Sequence, residues 1–271
     1  MANGLIFYLL FLMLFSMKQS LCPIVSNTEV MPGVYLMWLD APAVARGAVP
    51  GQFITVGCEG LLLRRPFSIH QVDSKRLAIL FKVVGAGTLW LSKQKAGKKV
   101  DVLGPLGRGF SLAPGSESLL LVGGGMGIAP LIFLAQYAAP GHTVALVHGA
   151  KTAAQIYHQG LPRGVEFIPV TEDGTLGAKG RATDVLPDFL GGADRVFACG
   201  PLDMYKAMSE QIVILSEAKN LSCQVSLEVR MGCGLGACRS CTINTRKGLK
   251  QVCRDGPVFE LGDILWKEVK I

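Results

Sequence analysis

The sequence predicts a multidomain β + α/β protein: an antiparallel β-barrel, then a Rossmann-like parallel α/β domain, then a small cysteine-bearing domain at the C-terminus. Three observations carry this. Short strand-like runs punctuated by proline and glycine fill the first part of the chain. From Leu119 onward, buried-strand runs alternate with helix-length stretches, the pattern of a parallel sheet. Near the end, Cys233, Cys238, Cys241 and Cys253 stand as C-x4-C-x2-C-x11-C. The 271 residues therefore divide into an apolar extension (1–20), a barrel domain (21–112), an α/β domain (113–218) and a cysteine domain (219–271).

The extension contains an unbroken apolar run over residues 5–15 (LIFYLLFLMLF). A membrane-spanning helix needs about 20 apolar residues, so the run predicts no stable membrane span. A signal peptide would want a basic start and a small-x-small cleavage site, and neither is clear. A surface anchor, a degenerate signal or residues upstream of a true start at Met17 remain, and a disposable extension of a cytoplasmic protein is the favoured expectation.

In the barrel half, residues 33–39, 52–56, 67–70 and 77–84 read as strands, separated by Pro42, Pro50-Gly51, Asp73-Ser74 and Gly85-Ala86-Gly87. Arg65-Pro66-Phe67-Ser68 sets a cation, a rigid turn residue, an aromatic ring and a hydroxyl in succession. Arg65 could pair with a phosphate while Phe67 and Ser68 face a ring system and its polar edge; an ordinary edge strand with a proline is the alternative. Gly85 to Thr88 reads as a second turn suited to phosphate, or simply a hairpin. Residues 104–110 (GPLGRGF) are expected to break all regular structure.

The α/β half opens on a strand that runs into Gly123-Gly124-Gly125-Met126-Gly127 and then an apolar helix containing Pro130. Such a turn lets the backbone approach a pyrophosphate at a helix start, although tight strand-to-helix packing also explains glycine turns. Further strands are expected over residues 143–148, 165–170 and 195–198, the last leading into Cys199-Gly200-Pro201. In an open parallel sheet both segments fall at the carboxyl ends of strands, where ligands sit.

The C-terminal cysteines have the plant-type spacing for a [2Fe-2S] cluster, and Gly232, Gly234 and Gly236 leave room for the loop to wrap inorganic sulfide. Structural zinc usually takes paired C-x2-C motifs or histidines, and no histidine follows His158. A disulfide framework belongs to small secreted chains. Cys22, Cys58 and Cys223 read as small buried apolar residues. The formal net charge of +7 comes with no basic run long enough for a nucleic-acid arm, so no nucleic-acid partner is expected.

The motifs taken in order are Arg65 to Ser68, Gly85-x-Gly87-Thr88, Gly104-Pro-Leu-Gly107, the Gly123 turn, Cys199-Gly200-Pro201 and the four cysteines. In that order they resemble the ferredoxin reductase-like flavoproteins. More closely, they resemble the electron transfer subunits of dihydroorotate dehydrogenase B, which serve a separate FMN-containing catalytic subunit. The most specific stretch is residues 223–241 (CQVSLEVRMGCGLGACRSC), followed by residues 252–259 (VCRDGPVF).

The resemblance implies FAD at Arg65, Pro66, Phe67, Ser68, Lys82, Val83, Val84, Gly87 and Thr88. It implies NAD at Gly123, Gly124, Gly125, Gly127, Pro130, Cys199, Gly200 and Pro201, and a [2Fe-2S] cluster on Cys233, Cys238, Cys241 and Cys253. Cys199 is expected as a packing residue near the flavin–nicotinamide junction rather than a nucleophile, and no residue is assigned a catalytic proton transfer. The implied assembly is a heterotetramer of paired electron-transfer and catalytic chains. NADH is the expected donor, with Lys151 leaving NADPH open. A related NAD(P)H-ferredoxin oxidoreductase or hydrogenase subunit is the alternative enzyme, and a cluster-bearing redox sensor the non-enzyme one. Two segments depart from the family pattern: the N-terminal run, and residues 211–220 (QIVILSEAKN), which look longer than the usual helix-to-strand link.

Overall fold

The computed structural model describes residues 17–112, 115–219 and 221–269. The apolar run at residues 5–15 lies outside the described residues. Among the described residues, no helix is long and apolar enough to cross a membrane.

The first seven strands are β1 (Lys18–Met31), β2 (Val34–Asp40), β3 (Phe53–Gly57), β4 (Arg65–Ser68), β5 (Gln71–Asp73), β6 (Arg76–Lys82) and β7 (Lys99–Leu106). They form one antiparallel sheet in the order β4-β3-β7-β1-β2-β6-β5. A sheet this twisted curls until its ends meet. Here Phe67 on β4 packs on Phe81 of β6 with ring centroids 5.6 Å apart, bringing one edge of the sheet back to the other end. Ile54, Val56, Leu77, Ile79 and Val102 point inward and are buried to within 1% exposure, the alternation a closed antiparallel sheet demands.

Two local expectations are corrected. Gly104-Pro105-Leu106 does not break regular structure, because β7 runs through it. The ladder between β3 and β7 shifts register between Phe53 and Thr55, so the proline falls at a bulge where its missing N–H costs no ladder bond. Gly104 lies so close to Ile54 that a Cβ there would come within 2.7 Å of the Ile54 Cγ2 atom. Second, Gly85 to Thr88 is not a hairpin but the start of the helix Ala86–Ser92. The Thr88 hydroxyl reaches back to accept the N–H groups of Val84 (2.9 Å) and Gly85 (3.2 Å), which fixes where that helix begins.

The second sheet contains β8 (Ser118–Gly124), β9 (Thr143–Ala150), β10 (Glu166–Thr171), β11 (Ala178–Lys179), β12 (Arg195–Cys199) and β13 (Ser222–Ser226), all parallel. A hairpin of β14 (Thr242–Thr245) and β15 (Gly248–Gln251) follows, and β16 (Val258–Glu260) returns antiparallel to β13. The order β11-β10-β9-β8-β12-β13-β16 places β8 at the point where the chain reverses direction across the sheet. Ligands bind at such a switch point, outside the strands' carboxyl ends. The apolar helix Ile128–Ala138 starts there, with Ile128, Leu131, Ile132 and Ala135 fully buried. The helix Leu202–Lys219 takes in residues 211–219 of the segment that departs from the family pattern; residue 220 falls outside the described residues.

Among the described residues, the C-terminal domain has no separate core. Val252, Cys253, Leu261 and Ile264 join Leu221, Val225, Val196 and Met208 in one buried cluster, so the cysteine loop is anchored on the α/β sheet.

Two histidines are buried: His70 ties the barrel to the α/β half, and His148 braces the α/β half internally. His70 Nδ1 donates to the Ala129 carbonyl at 2.8 Å, and its Nε2 lies 3.4 Å from the Tyr157 hydroxyl. His148 Nε2 donates to the Gly125 carbonyl at 3.0 Å while its Nδ1 accepts the Tyr157 N–H at 3.4 Å. Burial pushes both rings down to about 4, against 6.5 for an exposed histidine. Between those two values the unfolded chain binds the extra protons, so stability is lost as pH falls from 6.5 toward 4. Each ring contributes at most about 1.4 kcal/mol per pH unit across that window. Urea denaturation should show a lower midpoint at about pH 5 than at about pH 7, with a smaller drop in a His70→Gln variant. An equal drop in that variant would remove His70 as a source.

Candidate functional site

The first cradle lies where β4 meets the helix Ala86–Ser92. Residues Arg65 to Ser68 are all half-buried, so each keeps one side toward solvent. The Arg65 side chain lies directly across Gly87: a Cβ there would come within 2.6 Å of Arg65 Nε and 2.8 Å of its Cγ. Arg65 Nη1 also donates to the Leu63 carbonyl, which orients the guanidinium. The fold thus joins two separate motifs at one place, with a helix's first turn beside a cation that can grip phosphate in a fork. Phe67 backs onto Phe81, which in turn stacks on Tyr35 at 5.8 Å, so the ring at position 67 has fixed support. Lys82 closes β6, and the Val83 N–H is tied to the Gly33 carbonyl at 2.8 Å. Val84 is 80% exposed beside them.

The second cradle is a cleft of about 530 Å³ at the carboxyl ends of β8, β9, β10 and β12. Gly124, Gly125, Gly127, Gly200 and Pro201 line it. Gly125 adopts φ +52°, the left-handed conformation that the sharp turn requires. Gly127 packs so tightly that a Cβ would collide with the Cys199 carbonyl, so here the glycine's first duty is loop-on-loop packing. Gly123, Pro130 and Cys199 do not line the cleft. Gly123 sits under the turn against Leu131 and Ile128, Pro130 is buried in its helix, and Cys199 is completely buried.

Lys151, the residue that left NADPH open in sequence, lines the cleft just after β9, but residue-type reasoning missed Glu172 after β10, Arg181 and Thr183, which line it too. The rule that ligands collect at strand carboxyl ends would have found Glu172, which closely follows an expected strand. Glu228 also lines the cleft, with an oxygen 3.9 Å from the Cys199 sulfur. Burial pushes the Glu228 carboxyl up from its ordinary value and the Cys199 thiol well above its own. The Tyr205 hydroxyl donates to the Ser226 carbonyl (2.6 Å) and accepts the Gly200 N–H (2.8 Å), holding the Cys199-Gly200-Pro201 corner in place.

The third site is the thiol loop. Cys241 and Cys253 are buried with sulfurs 3.3 Å apart, Cys233 is half-buried and Cys238 exposed. Backbone N–H groups point at the sulfurs: Leu235 N to Cys233 (3.3 Å), Gly236 N to Cys253 (3.1 Å), Cys238 N to Cys233 (3.5 Å) and Cys253 N to Cys241 (3.4 Å). Gly234 (φ +72°) and Gly236 (φ +84°) make the loop's reversals. Amides aimed at sulfur stabilise the thiolate form. The Ser240 hydroxyl holds the Cys238 thiol down at about 6, while burial pushes Cys253 up to about 12. Among the described residues, no three such side chains gather about one point as a single metal ion would need. Four thiols with backbone amides aimed at their sulfurs are a donor set that suits a [2Fe-2S] cluster.

The loop is not remote from the first cradle. A Cβ on Gly234 would lie 3.0 Å from Thr55 Cγ2, and Thr55 on β3 pairs directly with Pro66 on β4. The thiol loop therefore rests on the strand next to the Arg65–Ser68 motif.

Comparison with known proteins agrees with this geometry. The profile described as "Iron-sulfur cluster binding domain of dihydroorotate dehydrogenase B" matches residues 228–265. The chain is 39% identical over 249 residues to "Dihydroorotate dehydrogenase B (NAD(+)), electron transfer subunit" of Caldanaerobacter subterraneus subsp. tengcongensis, covering 90% of this chain and 97% of that one. It is 40% identical over 252 residues to the protein of the same name from Desulforamulus reducens, covering 88% and 95%. A solved NADH-dependent reduced ferredoxin-NADP oxidoreductase, described in connection with flavin-based electron bifurcation, superposes with a TM-score of 0.81 at 28% identity over 92% of this chain and 91% of that one. A ferredoxin NADP+ reductase from Neisseria gonorrhoeae with bound FAD and NADP shares the fold, with a TM-score of 0.61 at 18% identity over 73% and 91%. The barrel, the α/β sheet with its cleft and the C-terminal thiol loop stand in the ferredoxin reductase-like arrangement, and the chain belongs to the family of dihydroorotate dehydrogenase B electron transfer subunits.

Proposed function

We propose that the chain carries electrons between NAD and an FMN-containing dihydroorotate dehydrogenase catalytic subunit, supporting pyrimidine synthesis in the cytoplasm as a heterotetramer of paired chains. We assign residues 21–112 to FAD, 113–218 to NAD and 219–271 to a [2Fe-2S] cluster; of the expected extension, residues 1–20, the last three pair with β7 as the start of β1 and so belong to the barrel. One observation supports this most strongly. The segment from Glu228 to Cys238 begins on the wall of the nucleotide cleft and ends at the thiol loop, and in between Gly234 seats on the strand beside the Arg65–Ser68 motif. Three binding elements share one short stretch of chain.

When bound, FAD and the cluster supply the conversion of a two-electron hydride donor into single electrons. The chain's own residues position and insulate. Arg65, beside Gly87 and Thr88, would hold the FAD pyrophosphate, while Phe67 and Ser68 would face its ring and Lys82, Val83 and Val84 would flank it. Gly124, Gly125 and Gly127, facing Gly200 and Pro201, would let the NAD backbone settle into the cleft. Gly123, Pro130 and Cys199 would contribute from beneath as supports. Cys233, Cys238, Cys241 and Cys253 would ligate the cluster through sulfurs already aimed at by amides. No general base is required for hydride transfer; alignment and exclusion of water suffice.

The reading extends to a nucleotide preference. Glu172 lines the cleft along with Lys151 and Arg181, and its carboxylate would repel a 2′-phosphate. Glu172→Gln should raise NADPH use relative to NADH about tenfold, equivalent to about 1.4 kcal/mol. The ratio of the two kcat/KM values for dye reduction checks this, and an unchanged ratio would exclude Glu172.

The reading is tested on the purified chain under anaerobic conditions. FAD, iron and inorganic sulfide should be present together, and NADH should bleach the flavin and cluster bands in turn. A colourless chain that takes up zinc alone would overturn it.

A further inference from the structure

We propose that Ser240 is a positioning residue that raises the reduction potential of the cluster by donating its hydroxyl hydrogen to the sulfur of Cys238. The proposal rests on the assignment of the four thiols as cluster ligands. A serine hydroxyl has one hydrogen to give and two lone pairs to receive with. In this loop the receiving side is used: the Gly232 N–H donates to Ser240 Oγ at 2.9 Å. The same oxygen lies 3.2 Å from the Cys238 sulfur. A ligating thiolate carries no proton, so the hydrogen between these two atoms belongs to the serine.

The arrangement is built. Arg239, between the two residues, adopts φ +58°, a conformation that a non-glycine residue seldom takes. That turn folds Ser240 back over the ligand it follows. Gly232 completes the contact, since a Cβ there would come within 3.1 Å of the Cys238 sulfur and 3.2 Å of Ser240 Oγ. Cys238 is the exposed ligand of the four, where water would otherwise supply fluctuating hydrogen bonds. The serine fixes one.

The direction of the effect follows from charge. Adding one electron to the cluster adds one negative charge, and a donor aimed at a ligand sulfur stabilises that form more than the oxidised one. Removing the donor lowers the potential and disfavours electron entry from the flavin side.

The experiment is an EPR-monitored redox titration of the full chain with its cluster loaded, comparing wild type with Ser240→Ala, Ser240→Thr and Ser240→Val. The alanine variant should show a midpoint lowered by a few-fold to tenfold in the one-electron equilibrium, tenfold being 59 mV. Threonine keeps the hydroxyl and should stay near wild type, while valine, its isostere without the hydroxyl, should fall with alanine. Equal midpoints in all four proteins would overturn the proposal. So would loss of iron from both Ala and Val with Thr intact, because the hydroxyl would then serve assembly and not potential. A wild-type chain that loads no [2Fe-2S] cluster would overturn the thiol assignment itself.

Discussion

Replacing Cys238 with serine is expected to abolish electron delivery to the catalytic subunit while leaving NADH-driven flavin reduction largely intact. Cys238 is the exposed member of the thiol set, so its loss opens no cavity in the core shared by Cys241 and Cys253. A serine hydroxyl is a hard, protonated group at neutral pH and replaces a soft thiolate poorly around iron. Changes to groups that only orient a ligand already cost about 10- to 100-fold, and loss of a ligand should exceed that. The cradle at Arg65, proposed for flavin, and the cleft at Gly124–Gly127 share no side chain with Cys238, so bound flavin and its reduction should persist. Two assays check this division: NADH bleaching of flavin absorbance in the variant, and orotate formation or consumption by the assembled complex. If flavin reduction vanished while the fold and flavin persisted, the separation of duties between the sites would be wrong.

The second large effect is expected at Arg65. Its side chain lies over Gly87, with Nε the nearest atom to that glycine's open side. Arg65→Ala removes a charge-assisted bond to phosphate worth about 1.5–3 kcal/mol, so FAD retention should weaken about 10- to 100-fold. Arg65→Lys should fall between, because an ammonium keeps the charge but not the fork. The residue is half-buried on a short strand paired along its length with β3, so the barrel should still form. The measurement is the flavin dissociation constant by fluorescence, with circular dichroism as the control for folding. Tight flavin binding by the alanine variant would remove Arg65 from the site.

The order of the motifs made both sites legible in sequence, but only at the level of which residues belong together. The strands over residues 33–39, 77–84, 143–148 and 195–198 were visible because apolar runs end in glycine, proline or aspartate, and the structure sets each within a residue or two. Strand β1 was not visible. Its fourteen residues include Pro23, Asn27 and Glu29, and pairing with β2 on one side and β7 on the other overrides their poor strand preference. The proline at position 105 looked like a breaker because a bulge cannot be read from one strand alone. The helix at Ala86 was hidden by two glycines, and it forms because Thr88 closes its first turn onto Val84 and Gly85.

At the sites, the thiol loop was legible as a loop because four cysteines of one chemical type carry their own spacing. The cleft was legible at its glycine turn and at Gly200-Pro201, but not at Glu172, Arg181 or Glu228. Those residues arrive from three separate segments, and parallel topology alone brings them to one rim. Cys199, expected as a packing residue near the junction, is completely buried, and Gly127 both lines the cleft and packs hard against the Cys199 backbone.

The central claim is that electrons entering from NADH leave this chain through its cluster into a dihydroorotate dehydrogenase catalytic subunit. The most direct test is an anaerobic visible spectrum of the NADH-reduced chain, followed by orotate, with and without the purified catalytic subunit. The account predicts that orotate reoxidises the flavin and cluster bands only when the catalytic subunit is present. Bands that bleach with NADH but stay bleached in the complete mixture would contradict it and assign the chain to a different electron acceptor.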